Sequence, residues 1–372
     1  MGFAGETFPT HRIQNVIGFP PYNGTTPDVD LKIYHPVGEE VWDFKNEKGY
    51  FKFRYPISYR VIDDFWAMEE ILNNIFENVL KINPTEHPIL YLIPPMNPSK
   101  TKEKIAETFF EKFDIPKLAF AQTEVLSLVS SNSKAGVVID SGVEMTSIVP
   151  IYMGFILAHA YNRMDIGGWD IESVIKRYSI IRGDKIFKSS YREYRSLLKT
   201  LKHDYSFFTL ASKEDLDFKP FDVENNVITV DKGHKLGDEQ FVGPEIFYHP
   251  EIIGKETMSL AKCIVDAISH CDEEIIEELY SSIILTGGNT LIPNFKKRLD
   301  LEMKKLVPEG IKFNIITLSN RDLRGWIGGS ILASRYKEKI KWITKEQFDK
   351  EGAKIIHTSH VDVSDLPQNF EL

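Results

Sequence analysis

Cysteine is nearly missing from this chain: Cys263 and Cys271 are the only two in 372 residues. Two thiols cannot build a disulfide framework or a four-thiolate zinc site, and their scarcity fits a reducing compartment. Basic charge is also in deficit. Lys and Arg total 45 against 54 Asp and Glu, a formal net charge of -9. That argues against nucleic acid as the main ligand, because neutralising phosphates needs a basic footprint. The longest apolar run, Ile148 to Tyr161, contains Pro150 and is too short to span a bilayer. The opening "MGFAGETFPT" has neither the basic start nor the apolar core of a secretory signal, and Glu6 stands where a myristoylation motif needs a hydroxyl. The histidines are scattered with no HExxH pattern, and neither a fixed-period repeat nor a low-complexity tract is visible.

Hydrophobic residues make up 42% and charged ones 27%, the balance of a globular protein long enough for two cores. Residues 18 to 36, rich in Pro, Gly and Asp, predict an exposed loop. Helical spacing predicts helices over 64–82 and 99–113, the second capped by Ser99, with a buried strand at 87–95 between them. "GVVIDSG", "SIVPIYMG" and "FILAHAYN" predict an antiparallel meander, followed by a helix over 167–181. Residues 184–240 read as charged and mostly helical, ending in a hairpin at "ENNVITVDKGH". Two helices over 255–281, a strand–glycine turn–helix over 282–308, a strand at "IKFNIITL" and a helix with glycines at its start at "GWIGGSILASRYK" follow. The run Arg335 to Lys341 reads as a solvated helix face, and the tail from His357 as polar and flexible. Alternating strands and helices define an α/β class.

Two glycine turns stand at strand ends, where ligands bind in such folds. In "IILTGGNT" the backbone at Gly287 and Gly288 can approach a ligand closely, before a helix N-terminus. In "VVIDSG" Asp140 can hold the water shell of a magnesium ion while the Ser141–Gly142 turn faces phosphate oxygens. Each motif alone is more often an ordinary turn; together, in this order, they are more specific.

The stretches "GFAGE", "RYPI", "EHPIL", "EVLSL", "VVIDSG", "VPIY", "RGD", "GPEIFYHPE", "ILTGGNTLIPNFKKRL", "WIGGSILAS" and "WITKEQFDKEGAKIIH" carry a resemblance. In order and spacing the chain resembles actin and the actin-related proteins along nearly its whole length. The resemblance implies a bilobal actin-like ATPase fold of two RNase-H-like domains with a nucleotide cleft between them. The first lobe would be 1–130 plus 324–372, with a loop-rich small subdomain at about 15–54. The second would be 131–323, with a helical small subdomain at about 167–256. It also implies ATP or ADP with Mg2+, protein partners (actin-like subunits or a heteromeric complex), no direct nucleic acid contact, no membrane insertion, and a cytoplasmic, cytoskeletal or nuclear setting.

Carried over residue by residue, "IDSG" matches the family's second phosphate loop, with Asp140 toward metal through water. Gly168, Gly287, Gly288, Asn289, Leu291 and Ile292 match the adenosine pocket, with Ser141 and Gly142 at the phosphates. The first phosphate loop belongs upstream of "GFAGE", and its strand, Asp and Lys are not encoded here, which reads as an incomplete start. Other positions depart from the pattern. Val143 and Glu144 replace the Asp and Gly after "IDSG". The glutamine that orients attacking water falls on Thr123, beside Gln122, and a histidine near the γ-phosphate falls on Ser147. A glutamate and lysine beside base and ribose fall near Leu201 and Thr200, and another lysine falls on Asp322. These departures imply weak or absent ATP hydrolysis. The loop "YNGTTPDVD" is polar where actin's is apolar, and charges at Arg335, Lys337, Glu338 and Lys341 fall on apolar positions of a partner groove. A divergent structural subunit is therefore expected, with a conventional polymerising actin and a phosphotransferase of the same superfamily as the alternatives.

Overall fold

A computed structural model describes residues 1–19, 35–42, 52–183, 191–210, 227–230, 234–364 and 366. Of the loop expected over residues 18–36, Gly18 and Phe19 instead belong to a strand, and residues 20–34, with the insertion segment "YNGTTPDVD", lie outside the described residues. The chain divides into two compact units, Met1–Gln122 with Gly329–Asp362, and Thr123–Gly328 with the tail from Val363.

In chain order the first unit opens with β1 (Ile17–Phe19) and β2 (Lys52–Arg54), paired antiparallel, then the hairpin β3 (Ile57–Ser58) and β4 (Val61–Ile62). Helix α1 (Phe65–Asn74) begins where Asp64 accepts the Ala67 N–H at 3.0 Å. It runs on into a π-helical turn, Ile75–Leu80. Next come β5 (Ile89–Ile93), α2 (Ser99–Glu107) with its own π-helical turn Thr108–Lys112, and β6 (Lys117–Gln122). Pro98, not Ser99, occupies the cap position of α2 and offers no side-chain bond. Strand β5 is also less buried than expected. It lies at one end of a three-stranded sheet, parallel to β6, and only Ile93 in it is fully buried.

The second unit begins with α3 (Thr123–Val129), β7 (Ala135–Ser141), β8 (Thr146–Tyr152), β9 (Phe155–Ile156) and β10 (Asn162–Met164). The meander is present, with Phe155–Ile156 and Asn162 of its third segment in strands. Helix α4 (Gly168–Arg182) and α5 (Tyr191–Thr200) follow, the latter ending in a π-helical turn, Leu201–Tyr205. The hairpin is β11 (Ile228–Thr229) against β12 (Lys235–Leu236). Then come α6 (Glu239–Glu245), α7 (Leu260–Ser269), α8 (Glu273–Ser281), β13 (Ile283–Thr286), the tight turn Gly288–Leu291, α9 (Phe295–Leu306) and β14 (Ile315–Thr317). Helix α10 (Arg324–Arg335) leads back to the first unit, which closes with β15 (Ile343–Thr344) and α11 (Lys345–Glu351).

Strand order in the large sheet is β10-β8-β7-β13-β14, with β7, β13 and β14 parallel. Strand β7 is central and buried on both faces, which explains its unbroken apolar run. Val137, Ile139, Ile283 and Leu285 pack with Ile171, Ile175 and Tyr178 of α4 and Ile264 and Ile268 of α7. The core of the first unit is aromatic, gathering Phe76, Phe109, Phe110, Phe113, Phe120 and Phe348, with Phe110 stacked on Phe348 at 4.6 Å.

The C-terminal region bears out one expectation and corrects two. The glycines of "GWIGGS" lie in the first half of α10, as expected. An added Cβ at Gly325 would stand 2.4 Å from Thr123 Cγ2, and one at Gly328 would stand 2.5 Å from the Leu126 carbonyl oxygen, so α10 packs on α3 backbone to backbone. The charged run is no helix face, because α10 stops at Arg335 and Lys337–Lys339 forms a single tight turn. Within the tail, Val361 is bridged to Ile340, and Val363 and Leu366 are buried, so the part that is described is packed. Among the described residues no helix is long and apolar enough to cross a membrane.

Candidate functional site

The parallel pairing of β7 with β13 sets Asp140 opposite Thr286, so both glycine turns emerge side by side at the carboxyl ends of the strands. Gly287 is glycine for a reason internal to the chain. Its φ is +86°, and a Cβ there would lie 2.3 Å from the Ser141 carbonyl oxygen and 2.5 Å from Asp140 Oδ1. Thr290 ties the turn back to the Gly287 carbonyl at 2.7 Å, and Arg321 Nε donates to the Thr290 hydroxyl at 3.0 Å.

Asn289 joins the two turns. Its amide donates to Ser141 Oγ at 3.1 Å and to the Gly142 carbonyl. Thr146 donates its hydroxyl hydrogen to the Ile166 carbonyl at 3.0 Å, so at the 2.8 Å contact between Ser141 and Thr146 it is Ser141 that donates. The relay Asn289–Ser141–Thr146–Ile166 is buried throughout, and the Ser141 hydroxyl is enclosed within it. The amides nearby are similarly engaged. Gly142 N–H reaches the Met145 carbonyl, Gly168 N–H the Gly142 carbonyl and Trp169 N–H the Val143 carbonyl, while Gly167 N–H donates to Asp170 Oδ2. The N-terminus of α4 is therefore satisfied by the loop after β7.

Gly168 lies against this cluster. An added Cβ would stand 2.9 Å from Asn289 Oδ1 and 3.0 Å from Lys202 Nζ. Lys202 is buried and pairs with Glu172 at 2.6 Å, and Arg195 reaches the same carboxylate at 3.3 Å. Thr200, the residue carried over from the family resemblance, ends α5 and is half-buried. The π-helical turn Leu201–Tyr205 follows directly and shifts the helix face, which brings Lys202 to Gly168. A residue-by-residue carry-over does not register that turn, and a buried Lys paired with a Glu thirty positions away leaves no local signal.

Gly288 differs from its neighbour. Among the described residues, no atom beyond its chain neighbours lies within 4 Å of where its Cβ would be, and its backbone is not left-handed. Leu291 beside it is 42% exposed, whereas Ile292 is buried in the core. Ser147 is fully buried, its hydroxyl 3.3 Å from Glu124 Oε1. Gln122 closes β6 in the first unit, while Thr123 opens α3 in the second. Asp140 is half-buried, and Val143 is exposed at the tip of the loop after β7. Among the described residues no cluster of His, Cys, Asp and Glu could hold a metal directly.

This arrangement, paired strand ends closed by an "IDSG" turn and a "TGGNT" turn, is that of an actin-like α/β fold. The actin family model matches residues 1–191 and 229–360, and the chain belongs to the actin family.

Proposed function

We propose that the chain is a divergent actin-family subunit of a filament or heteromeric complex, holding an adenine nucleotide at the carboxyl ends of β7 and β13 with weak or no hydrolysis. The observation that carries the reading is Gly288. Neither its backbone conformation nor any neighbouring atom among the described residues requires a glycine, so the missing side chain leaves room for a ligand. A flat base over Gly288, flanked by Leu291, fits that room, with Lys202 and Glu172 as polar groups beyond Gly168. Bound Mg2+ would polarise the terminal phosphate, and Asp140 would hold it through water.

The phosphate side fits less well in this unit. Ser141 donates within its relay, and the Gly142 and Gly168 amides meet carbonyls of the chain. Val143 cannot hold a metal-bound water, and Ser147 is directed to Glu124. Binding in the absence of fast turnover follows from that imbalance. Without a group to orient the attacking water, hydrolysis falls by about 10²–10⁴-fold against a site that has one.

Acid release of nucleotide from the purified native protein, resolved by ion exchange, tests the reading. Near-stoichiometric ATP or ADP is expected, together with its loss in Gly288→Val at an unchanged melting temperature. A folded protein with no nucleotide, or a Gly288→Val variant that keeps a full complement, would overturn it. Protein partners and a cytoskeletal setting accord with membership of the family.

A further inference from the structure

Gly168 opens α4 and is buried, and two polar side chains from distant parts of the second unit converge on it. The Cβ that it lacks would stand 2.9 Å from Asn289 Oδ1 and 3.0 Å from Lys202 Nζ. Asn289 and Lys202 are 4% and 5% exposed. Neither converging atom is fully paired. Asn289 donates through Nδ2 to Ser141 Oγ and to the Gly142 carbonyl, and among the described residues its Oδ1 accepts no hydrogen bond. Lys202 Nζ donates to Glu172 Oε1 at 2.6 Å and, among the described residues, to no other atom, so two of its three N–H bonds are open. The other oxygen of Glu172 receives Arg195 Nη1 at 3.3 Å, which fixes the carboxylate that holds the ammonium.

Buried polar groups are nearly always paired, so a spare donor beside a spare acceptor points to a third group between them. Chemistry narrows what that group is. An anion satisfies Lys202 but sets a second acceptor against Asn289 Oδ1. An amine satisfies Asn289 but brings a second donor to the ammonium. An apolar group leaves both unpaired. A hydroxyl accepts from the ammonium and donates to the amide oxygen at once. Gly288, where the base has room, adjoins Asn289 in the chain. An adenine base carries no hydroxyl, and its sugar does.

Given an adenine nucleotide at this site, on which the inference rests, we propose that Lys202 and Asn289 read one ribose hydroxyl beside Gly168, so that the site selects ribonucleotides over deoxyribonucleotides. Position 168 is then glycine because a side chain would fill the place where the two groups converge. Glu172 and Arg195 are positioning residues that act through Lys202.

The test is equilibrium binding of radiolabelled ATP to the nucleotide-stripped full chain, competed by unlabelled ATP, 2′-deoxyATP and 3′-deoxyATP. One of the two deoxy forms is expected to compete about tenfold or more less well than ATP, because it leaves the buried ammonium and amide oxygen unpaired. Lys202→Met combined with Glu172→Gln removes the ammonium without stranding its carboxylate. In that variant ATP itself should bind more weakly, and the gap should shrink to about threefold, the share of one remaining hydrogen bond. The comparison of the three nucleotides needs only the unaltered chain, so it stands if the double variant does not fold. Equal competition by all three would mean that water fills the place, which overturns the hydroxyl-reading role and leaves the nucleotide reading intact. A gap that the double variant keeps in full also overturns that role, since another group would then read the sugar. Failure of ATP to bind at all removes both together.

Discussion

Burial pushes the Cys263 and Cys271 thiols up to about 11, with Asp266 adding to the shift at the first and Asp272 at the second. Both sulfurs lie in the core of the second unit, so they are neutral packing groups. A raised thiol pKa lowers the thiolate fraction at pH 8, and the thiolate is the reacting form. Iodoacetamide at that pH is therefore expected to leave both unmodified in the native protein and to label both in urea, as read by intact mass. Rapid native labelling of either would contradict the packing. The adjacent glycines at the site make the same kind of point. Gly287 is needed by the backbone and Gly288 is not, although the two are indistinguishable as letters in a sequence.

Helix ends and helix contacts carry the next set of consequences. Burial pushes the Asp64 carboxyl up, but the Ala67 N–H and the Arg54 guanidinium, 2.9 Å away, outweigh it and hold it below the usual value of 3.8. A depressed folded-state pKa means that the cap's contribution is fully present above the unfolded value and is lost as pH falls through the folded one. Asp64→Ala is expected to cost about 1 kcal/mol in urea denaturation at pH 7. The difference between variant and parent should shrink below about pH 4, near the reference carboxylate value, and a pH-independent difference would remove the carboxylate from the account. Helix α10 makes the opposite demand, for no side chain at all. The Cβ of Gly328→Ala would meet the Leu126 backbone at 2.5 Å, which cannot swing away as a flexible side chain could. A loss of about 1–3 kcal/mol is expected, as for overpacked cores. A neutral result in denaturation would show that α10 and α3 part readily.

At the scale of the molecule, the question is what the chain assembles with. Arg335, Lys337, Glu338 and Lys341 are all exposed. Burying such charges unpaired in an interface built for apolar contacts costs several kcal/mol per ion. The protein is therefore expected to stay in the supernatant when conventional actin is polymerised and sedimented with it. Stoichiometric incorporation into the pellet would favour the alternative of an ordinary polymerising actin.

Much of this was legible in one dimension because it depends on local periodicity. The apolar run of β7, the turn at Asp140–Gly142, the helix from Gly168 and the strand–turn–helix around Gly287 all follow from side-chain spacing and from where glycine frees the backbone. The family itself was carried by long motifs whose order and spacing no short pattern could mimic. What only tertiary structure decided involves residues far apart in sequence. Lys202, in a π-helical turn, lies beside Gly168, whereas the family resemblance points to Thr200. The parallel register of β7 and β13 enclosed the Ser141 hydroxyl in a relay with Asn289. Two side chains of a polar tail, Val363 and Leu366, are buried beside Leu128 and Lys134, more than two hundred positions upstream. Burial and hydrogen-bond satisfaction are properties of the packed chain, so composition and spacing could name these residues without assigning what each one touches.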